Sequence, residues 1–235
     1  MAFSKKEAPN CVWCPYQKNC LYSYLDKSSQ KEWKEMRVAN RFKKGETIFH
    51  EGEKPPGLYV VCTGKAKIYK TSRMGEQLLI RMESPGDLLD HRSLLSQENY
   101  SGEAEAMEET VVSLIDTDKF IRFLKHHFDG CLALFKALSL DVRRGEEKAR
   151  DIAYKPARVR LSDILLSIMR KSSSPKQPVV AGFKRKDLAE MAGLTLETTM
   201  RLLKNFEEIG LIRREGDQIL VLNELKIRSI IGSVN

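Results

Sequence analysis

The stretch Lys184-Arg-Lys-Asp-Leu-Ala-Glu-Met-Ala-Gly-Leu-Thr-Leu-Glu-Thr-Thr-Met-Arg-Leu-Leu-Lys-Asn-Phe206 decides the fold. Its first ten residues pattern as a short helix that stops at Gly193, where a tight turn needs positive φ. Thr195 can cap a second helix, with Thr198 and Thr199 in its first turns. Two short helices joined by a glycine turn make a helix-turn-helix unit. Downstream, Arg213-Arg-Glu-Gly-Asp-Gln218 lies between Leu211-Ile212 and Ile219-Leu-Val-Leu222, a hairpin signal that adds a wing. Upstream, the pattern predicts a helix from Arg158 to about Arg170, and the composition of Lys171-Ser-Ser-Ser-Pro-Lys-Gln-Pro178 predicts a loop.

Further toward the N-terminus, Phe135, Leu138, Val142, Gly145, Ala149 and Ile152 are spaced alternately by three and four. Charged residues lie between them, so this is a heptad seam suited to pairing with another helix. The same stripe would also serve a helix packed on its own domain. Pro156 marks the end of that helix. From about Val38 to Ile115 the texture is short strands punctuated by glycine: Thr47–Phe49, Leu58–Val61, Lys65–Tyr69 and Leu78–Ile80. That spacing favours an antiparallel sandwich or roll. Ser28 to Arg37 reads as a short amphipathic helix capped by Ser28 or Ser29. The predicted organisation is α+β: a Cys-containing segment over 1–27, a β-roll over 28–128, a dimerisation helix over 129–154 and a winged helix-turn-helix over 155–235.

A chain of 235 residues has room for two such domains, each with its own core. No apolar run approaches the ~18 residues a membrane span needs. The charged opening Met1-Ala-Phe-Ser-Lys-Lys-Glu-Ala-Pro-Asn10 leads into no apolar segment, so the expectation is a cytoplasmic protein without a membrane partner. The net charge of +8 is uneven. Residues 155–235 carry 15 Lys+Arg against 9 Asp+Glu, whereas the first 154 carry 25 against 23. Excess charge concentrated in a small segment points to a polyanion, with a solvated basic face as the plainer alternative.

The major groove of B-DNA admits one α-helix, whose first turns reach base edges. At those places the second helix carries Leu196, Glu197, Met200 and Arg201. Arg201 can bond guanine O6 and N7 together, and Glu197 can accept from a cytosine amino group. At i and i+4 the two can also simply pair with each other. Lys184, Arg185, Lys186, Thr195, Thr198, Lys204, Arg213 and Arg214 are the candidates for phosphate contacts, which position a protein without reading sequence.

Gly45-Glu-Thr-Ile-Phe-His-Glu-Gly-Glu53, Gly57-Leu-Tyr-Val-Val-Cys-Thr-Gly-Lys65 and Pro85-Gly-Asp87 resemble the sensory β-roll of the CRP/FNR family of transcription regulators. Leu194-Thr-Leu-Glu-Thr-Thr-Met-Arg-Leu-Leu203 is similar to that family's recognition helix, and the resemblance covers nearly the whole chain. It implies a regulator rather than an enzyme: a homodimer that binds a pseudo-palindromic operator on double-stranded DNA and contacts RNA polymerase. Glu197 and Arg201 match the shared base-reading positions. Leu196 replaces an arginine of the cyclic-AMP branch, and Met200 stands where the FNR branch commonly has serine, so a TTGA-like half-site with an altered outer base is implied. Aligned on Gly86-Asp87, the phosphate cassette of cyclic-AMP sensors falls on His91, Ser101 and Gly102, without its arginine. A buried cyclic phosphate would lose charge-assisted bonds worth ~1.5–3 kcal/mol each, so cyclic AMP is not expected. His91, Arg92, Ser93 and Ser101 are the candidates for a different effector.

Five cysteines in a reducing compartment point to metal or redox chemistry rather than disulfides. Cys11-x2-Cys14-x5-Cys20 resembles the N-terminal ligands of FNR-type [4Fe–4S] oxygen sensors. The resemblance puts the fourth ligand at the end of the β-roll, where this chain has Ser113. Cys131, Cys62 and the carboxylate of Asp129 are the candidates to replace it. Zinc held by the same trio, a thiol redox switch and free thiols with no cluster remain as alternatives, as do a regulator answering an unidentified small ligand and a thiol–disulfide redox enzyme using Cys11-x2-Cys14. The adjacent His126-His127 pair reads as surface.

Overall fold

Alternation of side chains across a pleated strand sends odd and even residues to opposite faces, and here the two faces feed two separate cores. The computed structural model describes residues 6–72, 75, 77–171, 178–180, 182–216 and 218–232. It divides into one unit of Met1–Glu76 with Ile80–Arg143 and another of Gln77–Leu79 with Arg144–Asn235. The first part of the chain runs through β1 (Lys6–Glu7), two 3-10 turns at Gln17–Asn19 and Leu21–Tyr24, α1 (Lys27–Met36), β2 (Arg37–Phe42), β3 (Thr47–Phe49), β4 (Gly57–Thr63), β5 (Ala66–Thr71), β6 (Gln77–Glu83), β7 (Leu88–Leu89), α2 (His91–Ser96), β8 (Glu103–Ala106), β9 (Thr110–Asp116) and α3 (Thr117–His126). The strands form two antiparallel sheets, in the orders β1-β2-β9-β4-β7 and β3-β8-β5-β6. Between the sheets, Tyr59, Val61, Val112 and Leu114 pack with Phe42, Phe49 and Tyr100. From the opposite faces of the same strands, Leu58, Val60 and Ile115 pack under helices with Trp33, Phe120 and Phe123. The expected antiparallel roll is present.

Asp26, not Ser28 or Ser29, caps α1: its carboxylate accepts from Ser29 N at 2.8 Å. That frees the buried Ser29 hydroxyl for other partners. It donates to Asp129 Oδ1 at 3.0 Å and lies 2.9 Å from His127 Nδ1, while His127 Nε2 stands 2.7 Å from Glu32 Oε2. Asp129 Oδ2 also accepts from Asp26 N at 2.8 Å. Thus His127 is drawn into a network and is not the surface residue expected, whereas His126 is exposed. The network ties α1 to the start of α4 (Phe128–Tyr154).

α4 is a 27-residue helix, and Pro156 separates it from α5 (Ala157–Lys171). The remaining elements are β10 (Val179–Val180), α6 (Arg185–Ala192), α7 (Leu196–Glu208), β11 (Ile212–Glu215), β12 (Gln218–Val221) and α8 (Glu224–Gly232). Three of them make a small sheet in the order β10-β12-β11. β11 and β12 are the expected wing, joined through Gly216 at φ 56°. Most of the loop expected over Lys171–Pro178, namely 172–177, lies outside the described residues.

Candidate functional site

The helix-turn-helix is set by local chemistry at three points. Asp187 accepts from Lys184 N at 2.8 Å and closes the start of α6. Gly193 takes φ 61°, and its carbonyl accepts from Arg160 Nη1 at 3.0 Å. A Cβ there would press on Arg160 and Ile152 at 3.1–3.2 Å, so glycine suits both the backbone and the space. Thr195 Oγ1 then accepts from Thr198 N at 3.1 Å and starts α7. That helix buries Thr199, Leu203 and Phe206. The three- and four-residue spacing leaves Leu196, Glu197, Met200, Arg201 and Lys204 exposed on the other side. Glu197 and Arg201 do not pair with each other among the described contacts, so both keep free polar ends.

The basic residues around this face divide by what they touch. Lys184, Lys186, Thr195, Lys204 and Arg213 are exposed, and Thr198 is half-buried. Arg185 Nη2 donates to Gly216 O at 3.0 Å and anchors the wing. Arg214 is held by Glu207, with Nε 2.7 Å and Nη2 2.5 Å from Oε2. These hydrogen bonds hold the Glu207 carboxyl below its usual range. Arg214 therefore braces the wing against α7, although sequence reasoning grouped it with the phosphate contacts.

On α4, Phe135 and Val142 are each 61% exposed, and Gly145, Ala149 and Ile152 are also exposed. Leu138 is the exception in the seam: it is half-buried against the helical core of the roll. Exposed Phe128 and Leu132 extend the apolar stripe toward the helix start instead. The heptad count missed them because it began at Phe135.

The N-terminal turns bring the cysteine trio to one cavity. Cys11, Cys14 and Cys20 line it together with Cys62, Arg37, Val60 and Gly86. Gly86 has φ 102°, and a Cβ on it would meet the Asn19 backbone at 2.8 Å, so only glycine admits this approach. Burial pushes the Cys20 thiol up to about 11 and raises Cys11 as well, against the opposing pull of Arg37. All five cysteines are free thiols. Cys131 is not among the residues lining the cavity; its thiol donates to Leu124 O at 3.1 Å. Asp129 is likewise committed to α1.

Among the effector candidates, His91 and Ser93 are buried, whereas Arg92 and Ser101 are exposed. The interior beside His91 is already charged. Arg81 pairs with Glu83 at 3.3 Å, with Asp141 and more distantly with Asp90, and Ser93 Oγ donates to Asp90 Oδ2 at 2.6 Å. Burial lowers the His91 pKa to about 4; the attraction of Asp141, 3.8 Å away, opposes this, while Arg81 and Arg92 add to it. The folded state thus holds His91 neutral, and the unfolded chain takes up the proton first, near its ordinary pKa of ~6.5. Stability should therefore fall as pH drops from about 6.5 toward 4. His91→Gln should flatten that part of a urea-unfolding pH profile; an unchanged slope would contradict the assignment.

Residues 39–127 match the model of the cyclic nucleotide-binding domain, and residues 159–230 match that of the Crp-like helix-turn-helix domain. The chain is 25% identical to the cyclic AMP receptor protein of Thermus thermophilus, over 73% of this chain and 78% of that one. It is 23% identical to the transcriptional activator protein Anr of Pseudomonas aeruginosa, over 95% and 93% of the two chains. A solved CRP/FNR-family transcriptional regulator from Thermus thermophilus superposes with a TM-score of 0.72 at 19% identity, covering 84% of this chain and all of that one. That likeness speaks to the fold.

Proposed function

Because the chain belongs to the CRP/FNR family of transcription regulators, we propose that it acts as a homodimer reading a pseudo-palindromic operator through α7, under control of its N-terminal cysteines. It is a regulator with a DNA-binding helix-turn-helix, not an enzyme, and none of its described helices is long and apolar enough to cross a membrane. The observation that carries the operator reading is the exposed, unpaired Glu197–Arg201 face of a helix capped by Thr195. Two such helices, one from each subunit, would enter successive major grooves about 34 Å apart. The wing and the exposed lysines beside α7 supply phosphate contacts, and RNA polymerase is the further partner that the family implies.

Arg201→Ala should weaken binding to a TTGA-type operator by at least about tenfold and relax the preference at one base pair per half-site. Lys186→Ala should weaken binding to all sequences alike and flatten its salt dependence. Fluorescence anisotropy across a salt series measures both. Absence of sequence preference in the wild type at every salt, with and without oxygen, would defeat the operator reading.

For the signal, the reading is a [4Fe–4S] cluster held by Cys11, Cys14 and Cys20 with a fourth ligand. The donor chemistry fits: the buried Cys11 and Cys20 and the half-buried Cys14 line one cavity beside a buried guanidinium. When bound, such a group supplies oxygen- and redox-sensitive iron–sulfur bonding. This chain's own part is to hold the thiols, with Gly86 admitting the Asn19–Cys20 backbone. A thiol switch is less well supported, because a reactive cysteine needs a lowered pKa and Cys11 and Cys20 have theirs raised. An effector replacing cyclic AMP has little support, since buried charge pairs fill the interior next to His91.

A further inference from the structure

Four of the five cysteines reach one cavity, and they come from two separate parts of the chain. Cys11, Cys14 and Cys20 enter from the N-terminal turns, while Cys62 enters from β4. In the ladder between β4 and β9, Val61 pairs with Val112 and Thr63 with Val111, so Cys62 is the extra residue of a β-bulge. By the alternation that puts Leu58 and Val60 under the helices, Cys62 keeps to the same face of β4 and lines the cavity with Val60. Ser113, where the family resemblance puts the fourth thiolate, pairs with Val60, which lines the same cavity. Ser113 is wholly buried and its hydroxyl has no partner. Cys62, whose thiol donates only at long range to Val60 O (3.8 Å), thus stands one strand across, and two residues along, from the position that lost the thiolate.

Arg37 adds an independent observation. It lines the cavity, is 9% exposed, and donates through Nη2 to Pro9 O at 2.6 Å. Its buried Nε has no partner, and no carboxylate among the described side chains pairs with it. A buried cation is costly without a counter-charge, and four thiolates on an iron–sulfur core carry net negative charge. No three described His, Cys, Asp or Glu side chains are grouped to hold a single ion.

We propose that Cys62 is the fourth thiolate of an iron–sulfur cluster held by Cys11, Cys14 and Cys20, in place of the ligand lost at Ser113, with Arg37 as the buried counter-charge. This rests on the cluster reading above and completes its ligand set. The test uses full-length protein purified without oxygen and reconstituted with ferrous iron and sulfide, scored by iron and sulfide content and visible absorption. The wild type should hold about four irons per chain. Cys62→Ser should lose more than half of the iron, Cys131→Ser should lose none, and Cys62→Ser combined with Ser113→Cys should regain it. That regain separates a lost ligand from a misfolded variant. Arg37→Gln should keep the iron and shift the reduction midpoint to more negative potential; an unmoved midpoint would remove the counter-charge role. Full iron in Cys62→Ser would overturn the ligand assignment and leave the cluster reading standing. An iron-free wild type would overturn both.

Discussion

A protein carrying Phe135→Glu and Val142→Glu should sediment as a monomer and lose about 10²–10⁴-fold in operator affinity. Both side chains are largely solvent-exposed in the single chain, so the substitutions remove nothing from its core. They place like charges along a stripe that also includes Phe128, Leu132 and Ala149, where a second helix would have to desolvate them. Without the partner, the second half-site is no longer presented at high effective concentration, and affinity drops toward that of one recognition helix. Leu140 is exposed too, but lies on the opposite side of the helix by its 100° per residue. Leu140→Glu should therefore leave sedimentation and affinity unchanged. Analytical ultracentrifugation with anisotropy on the same samples decides the matter. A double variant that stays dimeric would show that the subunits meet elsewhere.

Trp33→Ala should destabilise the first unit by about 3–5 kcal/mol, lowering its thermal midpoint by on the order of 10 °C. Trp33 is 0% exposed and meets Phe120 and Phe123 edge-on, with ring centroids at 6.4 and 5.6 Å. Truncation leaves a cavity in a core that also contains Cys11, Cys20, Leu21 and Tyr22. Trp33→Phe should cost far less, because the indole N–H has no hydrogen-bond partner to lose. Urea unfolding of the two variants gives the comparison. Equal losses would mean that the indole ring matters for a reason other than its volume.

The legible parts of this molecule are those whose signal is local. The helix-turn-helix could be read from Gly193, Thr195 and the apolar spacing of α7, because each acts on residues within one or two turns. The strands at Thr47–Phe49 and Leu58–Val61 were legible from β-branched and aromatic runs. β8 was not, since Glu103-Ala-Glu-Ala106 consists of residues depleted in strands; only Ala104 and Ala106, each wholly buried, reveal its period of two. The cap of α1 was misplaced because Asp26, Ser28 and Ser29 can all accept within four positions, and what decides is a tertiary partner, Asp129, about a hundred positions away. His127 looked superficial for the same reason. The cysteines show the limit most clearly. Their spacing named the trio, but the choice between Cys62 and Cys131 depends on which of them lines the cavity once the N-terminal turns are folded against β4, and such a tertiary approach leaves no trace in composition.

The hydrogen-bonded knot of Asp26, Ser29, Glu32, His127 and Asp129 clamps the short end of a lever. α4 has 27 residues and is therefore ~40 Å long. A tilt of ~5° at the clamp would carry its far end ~3.5 Å, close to the ~3.4 Å rise of one base pair. A few degrees at the knot are thus amplified into ångströms at the far end of the helix.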